Sequence, residues 1–350
     1  MLFTKKKDIV GVDIGSSAVK LVQLREFKGG YQLQKIGILP LSPEAIVDNT
    51  LMDSSSIVET VKTLLGSLQV KAKEAVCSIS GNSVIIRKIS LPVMPVEELE
   101  DQILWEAEQY IPFDINDVNV DFEILSPDEQ DLSKMNVLLV ASKKDIINDY
   151  LAVFAEAGLK LVVVDVDSFA VQNAYESNYP EESGEVVALV NIGASIINLN
   201  IVRAGLSLFT RDMQMGGNLY TEEIQKQFGL NSEEAELKKV SAAGSADPRL
   251  NDVLQKVNET IANEVRRSLD FYNSTAGDQR ISKVYLSGGA AKTALLMEAV
   301  QQRLSLPVEL LNPLSRLVVN EKEFDLEYLE EIAPMVTVAV GLATRRLGDK

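Results

Sequence analysis

The sequence predicts an α/β protein of two related lobes, with a small α/β subdomain inserted into the first. Three observations carry that prediction. Residues 10–24 read VGVDIGSSAVKLVQL, and 178 positions later residues 188–202 read ALVNIGASIINLNIV. In this near-repeat Asp13 recurs as Asn191, the Ile-Gly pair is unchanged, and Ser17 recurs as Ser195. A third apolar run ends in a glycine turn, VYLSGGAA at 284–291. Finally, 350 residues are more than one small core organises, and their 46% hydrophobic and 24% charged content is ordinary for globular chains.

Taken in chain order, Val10–Val12 and Val19–Leu24 read as strands joined by the bend DIGSS, with a further strand at Gln32–Leu39. Ile57, Val61, Leu64 and Leu68 share one face of a helix. EAVCSIS and VIIRKIS flank Gly81-Asn82, a hairpin-type turn. Pro95 opens a helix in which Leu99, Ile103, Ala107 and Ile111 recur every four residues, and Pro112 closes it. Strands at Asn119–Leu125 and Val137–Ala141 and a helix at Lys144–Ala157 complete an inserted block over residues 86–157. LKLVVVDVD resumes a buried strand, and the polar stretch SNYPEESGE (177–185) links to the second copy of the opening hairpin. Helices follow at Ser232–Lys239 and at Leu254–Tyr272, the latter with Val257, Ile261, Val265 and Leu269 in register. The uncharged, small-residue segment APMVTVAVGLATRRL has the character of a buried terminal helix. The expected division is a first lobe core of 1–85 with 158–180 and 335–350, the insert 86–157, and a second lobe 181–334 whose upper subdomain is 216–280.

Composition removes whole classes of chemistry. A net charge of −17 argues against nucleic acid and against unaided adsorption to anionic lipid. Without any histidine there is no Ser-His-Asp or Cys-His catalysis and no His-ligated zinc. The single cysteine, Cys77, forms no intramolecular disulfide, fits a reducing compartment, and reads as a buried strand residue. The longest uncharged stretch, Val186–Val202, contains Asn191, Ser195, Asn198 and Asn200 and reads as strand rather than membrane helix. The expected location is therefore the cytoplasm.

A strand–turn–strand with Asp-x-Gly at its bend exposes a tight arc of backbone N–H groups, which suits phosphate oxygens. Glycine allows close approach, small hydroxyls add donors, and an aspartate at the strand end can hold a water of Mg²⁺. One such turn alone is more economically a hairpin. Two copies in repeated halves and a third glycine turn favour a phosphate grip instead.

The order DIGSS, NIGAS, GG, AELKK and LSGGA resembles the actin-like (ribonuclease-H-like) ATPase superfamily, which includes sugar kinases and chaperone ATPases. Within it the chain is most similar to the PilM family of the type IV pilus machinery, itself related to the division protein FtsA. The resemblance covers essentially the whole chain, through LFTKKKDIVGVDIGSSAVKLVQL, EAEQYIPFD, VDVDSFAVQNAY, RRSLDFY and LSGGA. It implies ATP or ADP with Mg²⁺ between the lobes. Asp13, Gly15, Ser16, Ser17 and Lys20 would form the first phosphate loop, with Asp13 reaching the metal through water. Asn191, Gly193, Ala194 and Ser195 would form the second. Gly288 and Gly289 match the adenosine-side turn, and Gly216 and Gly217 a further turn at the cleft. AELKK resembles the family's Ala-Glu-x-x-Lys, so Glu236 and Lys239 either bracket the ribose and base or form a solvated helix pair. Asn191 departs from the family pattern, where an aspartate helps to position Mg²⁺ and the attacking water. Losing that charge slows phosphoryl transfer, so the expected activity is at most a slow ATPase. Asp13, Asp165 and Asp167 are the candidate catalytic carboxylates.

The resemblance also implies partners: the N-terminal cytoplasmic peptide of PilN, an inner-membrane protein, other platform and motor proteins of twitching motility, and self-association. Attachment to the inner membrane is then peripheral and through a partner, without direct insertion. The peptide groove would lie near the insert, with YIPFD (110–114) as a lining turn. The helix from Glu97 to Tyr110 carries six acidic residues and Trp105, a solvated face with one packed indole or a partner anchor. Two other readings share the fold. A small-molecule kinase needs a carboxylate base beside its acceptor hydroxyl, and no sugar-site signature accompanies it here. A filament-forming division protein like FtsA is expected to carry a C-terminal linker and amphipathic membrane helix, and this sequence ends at RRLGDK after the expected buried helix.

Overall fold

The computed structural model describes residues 8–127, 131–179, 184–242, 244, 246–277 and 279–349. The basic opening LFTKKK and the centre of the expected linker, residues 180–183, lie outside them. The first lobe begins with β1 (Ile9–Ile14), β2 (Ala18–Phe27) and β3 (Gly30–Pro40), followed by the short pair β4 (Ile46–Val47) and β5 (Thr50–Leu51). Helix α1 (Ser54–Ser67) and strand β6 (Glu74–Ile79) come next. The insert consists of β7 (Val84–Pro92), α2 (Val96–Glu108), β8 (Val118–Pro127) and β9 (Lys134–Lys143). The chain returns through α3 (Lys144–Glu156), β10 (Lys160–Val166) and α4 (Asp167–Asn178).

The second lobe repeats the plan. It comprises β11 (Val186–Ile192), β12 (Ile197–Arg203), β13 (Leu206–Met213), α5 (Asn218–Phe228), α6 (Ser232–Val240), α7 (Pro248–Thr275), β14 (Ile281–Ser287), α8 (Leu296–Leu304) and β15 (Val308–Leu310). Two last helices, α9 (Leu326–Ile332) and α10 (Thr337–Thr344), complete the chain. The two five-stranded sheets have the orders β10-β6-β1-β2-β3 and β15-β14-β11-β12-β13. In each, an antiparallel meander gains two parallel strands beside its first strand. β1 and β11 are therefore central and buried along their whole length, which explains why both read as continuous apolar runs rather than alternating ones.

Local sequence explains the helix starts. Asp53 caps α1 by accepting from the Ser56 amide, and Asn231 and Glu234 form a reciprocal capping box at α6. Asp247 caps α7, whose first residue is Pro248. Helices α4 and α10 lie between the two sheets. Ala170 and Val171 of α4 and Val338 and Leu342 of α10 share one buried cluster with Ile9 and Val76 of the first sheet and Val187 and Leu189 of the second. Each fully buried aliphatic side chain there contributes about 1.5–3 kcal/mol, so this shared layer holds the lobes together. No helix among the described residues is long and apolar enough to cross a membrane.

Four local readings differ from the sequence-based expectation. Gly81-Asn82 does not close a hairpin: β6 has parallel neighbours on both sides, and β7 pairs with β9 in the separate three-stranded sheet β7-β9-β8. Helix α3, grouped with the insert by sequence, buries Tyr150, Val153 and Phe154 in the first-lobe core beside Ile57 and Val61. Leu314, Leu329 and Ile332, assigned by position to the second lobe, pack on Val22, Leu24 and Leu33 of the first. The expected linker begins inside α4, where Asn178 is buried and accepts from the Arg316 amide.

Candidate functional site

The two repeated bends meet. In the first, the Gly15 amide donates to the Ala18 carbonyl at 3.1 Å; in the second, the Gly193 amide donates to the Ile196 carbonyl at 2.9 Å. These are equivalent positions of the repeat. The Ser195 hydroxyl donates across to Ser16 Oγ at 2.9 Å, and Asn218 Nδ2 donates to Ser195 Oγ at 3.1 Å. Among the described residues no protein group accepts from the backbone amides of Ser16, Ser17, Ala194 or Ser195. Two arcs of unused donors thus face each other across the lobes, which is the arrangement an anionic ligand requires.

The glycine turns close around the second bend. The Gly217 amide donates to the Gly193 carbonyl at 2.9 Å and the Asn218 amide to the Ala194 carbonyl at 2.8 Å, docking the start of α5 on this loop. A side chain at Gly216 would stand 2.4 Å from the Gly193 carbonyl oxygen, so only glycine permits that approach. Gly288 has φ +86°, and a Cβ there would lie 2.3 Å from the Ile192 carbonyl oxygen. Gly289 differs: a Cβ there would meet only Met335 Cε, at 3.9 Å. The fold does not require glycine at that position. Lys239 Nζ pairs with Glu236 at 2.6 Å and also lies 3.5 Å from the Gly217 carbonyl, while Thr221 donates to the same Glu236 oxygen at 2.6 Å. Lys239 is mostly buried and Glu236 half exposed, so the pair stands on the Gly217 turn with only its acidic end in solvent.

The charged residues show what the repeat changed. Asp13 faces Lys20 across β1 and β2, and the two form an ion pair at 3.1 Å, with Lys20 Nζ over Gly15. The equivalent positions on β11 and β12 are Asn191 and Asn198, joined by a hydrogen bond from Asn191 Nδ2 to Asn198 Oδ1 at 3.0 Å. A charged pair has become a neutral amide pair. The rest of Asn191 is also engaged, since Ser287 donates to its Oδ1 at 3.2 Å. Asn198 in turn donates to Asp212 Oδ1 at 2.9 Å, and Asp212 Oδ2 accepts from the Gly81 amide of the first lobe at 2.6 Å. A relay of hydrogen bonds therefore runs from Ser287 through Asn191, Asn198 and Asp212 to the other lobe. Burial raises the Asp212 pKa despite these donors.

Of the candidate carboxylates, Asp165 is engaged elsewhere. It forms an ion pair with Arg345 at 3.1 Å and accepts from the Val166 amide, and burial still raises its pKa. Asp167, first residue of α4, accepts from Ser78 at 2.5 Å. The helix N-terminus favours a carboxylate by under about 1 kcal/mol at most surface sites. Burial, followed by repulsion from Asp13, outweighs it here and pushes the Asp167 pKa up to about 6. Asp212 adds to that repulsion, so Asp167 feels a carboxylate from each of the two lobes. Burial also raises the Cys77 thiol, with Asp167 and Asp165 adding to the effect, which keeps it protonated and unreactive. Among the described residues there is no cluster of three carboxylate or thiol ligands able to hold a metal unaided. The donor set suits Mg²⁺ only in the mode where one or two carboxylates and a ligand's phosphates share it.

Asp212, Asn198 and helix α5 are absent from the sequence-based list. Asn198 was visible there as the counterpart of Lys20, 178 positions on. Asp212 becomes visible only once β13 pairs it with Asn198.

Comparison with known proteins bears on the chain as a whole. A family model described as type IV pilus assembly protein PilM matches residues 11–347. A solved PilM-PilN type IV pilus biogenesis complex contains a chain 30% identical, with a TM-score of 0.88, covering 97% of this chain and 98% of that one. The ethanolamine utilization protein EutJ from Carboxydothermus hydrogenoformans is 17% identical, with a TM-score of 0.61 over 97% of this chain and 90% of its own. MreB5 of Spiroplasma citri, solved bound to AMPPNP, is 14% identical, with a TM-score of 0.50 over 96% and 95%. At these last two identities the likeness concerns the fold, which is actin-like.

Proposed function

Because the chain belongs to the type IV pilus assembly protein PilM family, we propose that it is a nucleotide-binding scaffold at the pilus assembly platform. In this reading ATP or ADP sits between the lobes. The amides and hydroxyls of Ser16, Ser17, Ala194 and Ser195, with Lys20, hold its phosphates, and Asp13 orients the hydration shell of Mg²⁺. Gly216, Gly217 and Gly288 let the turns close on the Gly193 loop and on Ile192, Gly289 leaves open space for the adenosine beside them, and Glu236 and Lys239 flank it. The observation that carries the reading is the meeting of two repeated, unsatisfied amide arcs at the Ser16–Ser195 contact. The nucleotide-bound state of an actin-like relative supports the choice of ligand.

The residues favour holding nucleotide over hydrolysing it. Asn191 has both ends of its amide engaged and no charge to offer a metal. Asp167 is the remaining candidate for general base, because a pKa of about 6 lets it accept a proton near neutrality. Its repulsion by Asp13 eases when a cation enters the cleft. Bound Mg²⁺ would supply charge neutralisation for the phosphates, and the chain's own groups would do the positioning.

The partner is a short N-terminal cytoplasmic segment of a PilN-like membrane protein, which would tether the scaffold peripherally to the inner membrane; the complex formed by the 30% identical relative supports this. Lobe closure around nucleotide then biases the partner surface only if that surface differs between the two states. Substitution of Gly289 by valine tests the nucleotide site. The fold tolerates a side chain there, so thermal stability stays near that of the wild type. Titration with Mg-ATP should show affinity lowered at least about tenfold, or about 1.4 kcal/mol. Unchanged affinity would remove the adenosine from this turn.

A further inference from the structure

A depression of about 350 Å³ opens between α7 and α8, away from the residues of the nucleotide cleft. Asn263, Arg266, Arg267 and Asp270 of α7 line it, with Arg303 of α8. Pockets for organic ligands are mostly apolar, with a few polar groups that orient the ligand. This lining is polar throughout and sets three guanidinium groups against one carboxylate. Much of its donor capacity is unspent among the described residues. Arg266 uses only Nε, toward Asp270 at 3.3 Å, and Arg267 only Nη1, toward Glu264 at 2.8 Å. Arg303 makes no ion pair or hydrogen bond there. Asn263 Oδ1 is buried without a partner, whereas its Nδ2 has no protein acceptor and reaches the surface. Arg303 also lies in the last turn of α8, where a cation complements the helix dipole. That role does not account for two further arginines brought from α7 to the same concavity.

We propose that the depression is a phosphate site separate from the nucleotide cleft, taking a phosphate group presented by a soluble molecule or by a lipid headgroup. The guanidinium of Arg303 grips two phosphate oxygens as a fork, the spare N–H groups of Arg266 and Arg267 reach the others, and Asn263 Nδ2 adds a neutral donor. Asp270 is the one repulsive neighbour in the lining, and Arg266 neutralises it. The volume is at the small end of the about 300–1,000 Å³ of ligand pockets, which suits one or two phosphate groups instead of a bulky organic body. The net charge of −17 repels anions at a distance. At about 0.15 M salt the screening length is about 8 Å, so the local arginine excess governs contact.

Two arms on the full chain test the proposal and separate the sources. Calorimetric titration with pyrophosphate, without added metal, probes the soluble one. Co-sedimentation with phosphatidylglycerol vesicles, against phosphatidylcholine vesicles, probes the lipid one. Saturable binding is expected in at least one arm, with a dissociation constant of about 1 mM or lower. In that arm Arg266→Gln with Arg303→Gln should weaken binding at least tenfold. Arg303→Lys keeps the charge and loses the fork, so it should weaken binding at least threefold; it breaks no contact within the chain and stands in if the double variant misfolds. Arg87→Gln, which removes one exposed charge from β7 of the insert, should leave binding unchanged. Lys20→Gln distinguishes this site from the nucleotide cleft, and binding should survive it in folded protein. The proposal is overturned if neither probe binds saturably by about 1 mM, or if the arginine variants of the depression bind like the wild type. It is equally overturned if Arg87→Gln weakens binding as much as they do, or if folded Lys20→Gln protein no longer binds the probe.

Discussion

Replacing Asp167 by asparagine separates the energetic cost of this carboxylate from its use. Its pKa is raised from an ordinary 3.8 to about 6 by burial and by repulsion from Asp13 and Asp212. A group with a raised folded-state pKa favours folding in its neutral form. That contribution is fully present below pH 3.8 and lost as pH rises through 6. A shift of about two pH units corresponds to at most about 3 kcal/mol of destabilisation once the group is ionised at pH 8, and roughly half of it has accrued at pH 5. Asparagine carries no such cost. Asparagine keeps an acceptor oxygen for the Ser78 hydroxyl, so the comparison across pH isolates the ionisation. The expected result in urea unfolding followed by circular dichroism is that the stability difference, variant minus wild type, is more positive at pH 8 than at pH 5 by about 1.4 kcal/mol. A difference independent of pH, or one that moves the other way, would refute the assignment of a raised pKa. If Asp167 is also the general base, the variant retains nucleotide and loses residual hydrolysis, the trade of stability for function that marks an active carboxylate.

Three further outcomes follow from the same contacts. Asn191→Asp should destabilise the fold by about 2–4 kcal/mol, because it places an unpaired charge in a buried site near Asp212; adding Asn198→Lys, which recreates the Asp13–Lys20 pair, should recover at least half of the loss in thermal unfolding. Asp212→Ala should speed hydrogen exchange at the Gly81 amide at least about tenfold, since the bond from that amide at 2.6 Å ties the lobes together. Gly288→Ala, unlike Gly289→Val, should lower the melting temperature itself, as its Cβ would stand 2.3 Å from a backbone oxygen in a left-handed conformation.

Much of the architecture was legible because the repeat is written in apolar runs. β1 and β11 are central strands, so their burial on both faces leaves an uninterrupted pattern, and the glycine bends punctuate them. The C-terminal helix was readable from its small uncharged residues, which fit between α4 and the sheet. What could not be read depends on pairing between distant segments. Asp212 is a single acid in an ordinary strand, and nothing local distinguishes it until β13 lies against β12. Helix α3 follows the insert in sequence yet packs on α1, because a subdomain boundary is set by which core receives the side chains. Gly81 has the residue type of a hairpin turn but carries the chain from one sheet to another. Asn191 was noticed as the loss of one charge. Its meaning lies in the pair, since Asn198 replaces the lysine at the same time and the two amides satisfy each other.

The most direct test of the account is to denature freshly purified protein and identify any nucleotide released, by chromatography. The account predicts ATP in near-stoichiometric amount, held by the facing amide arcs and scarcely turned over. Released ADP would contradict slow turnover and point to Asp167 as an efficient base. Protein that is empty and also fails to take up added Mg-ATP would contradict the central claim that the cleft binds nucleotide.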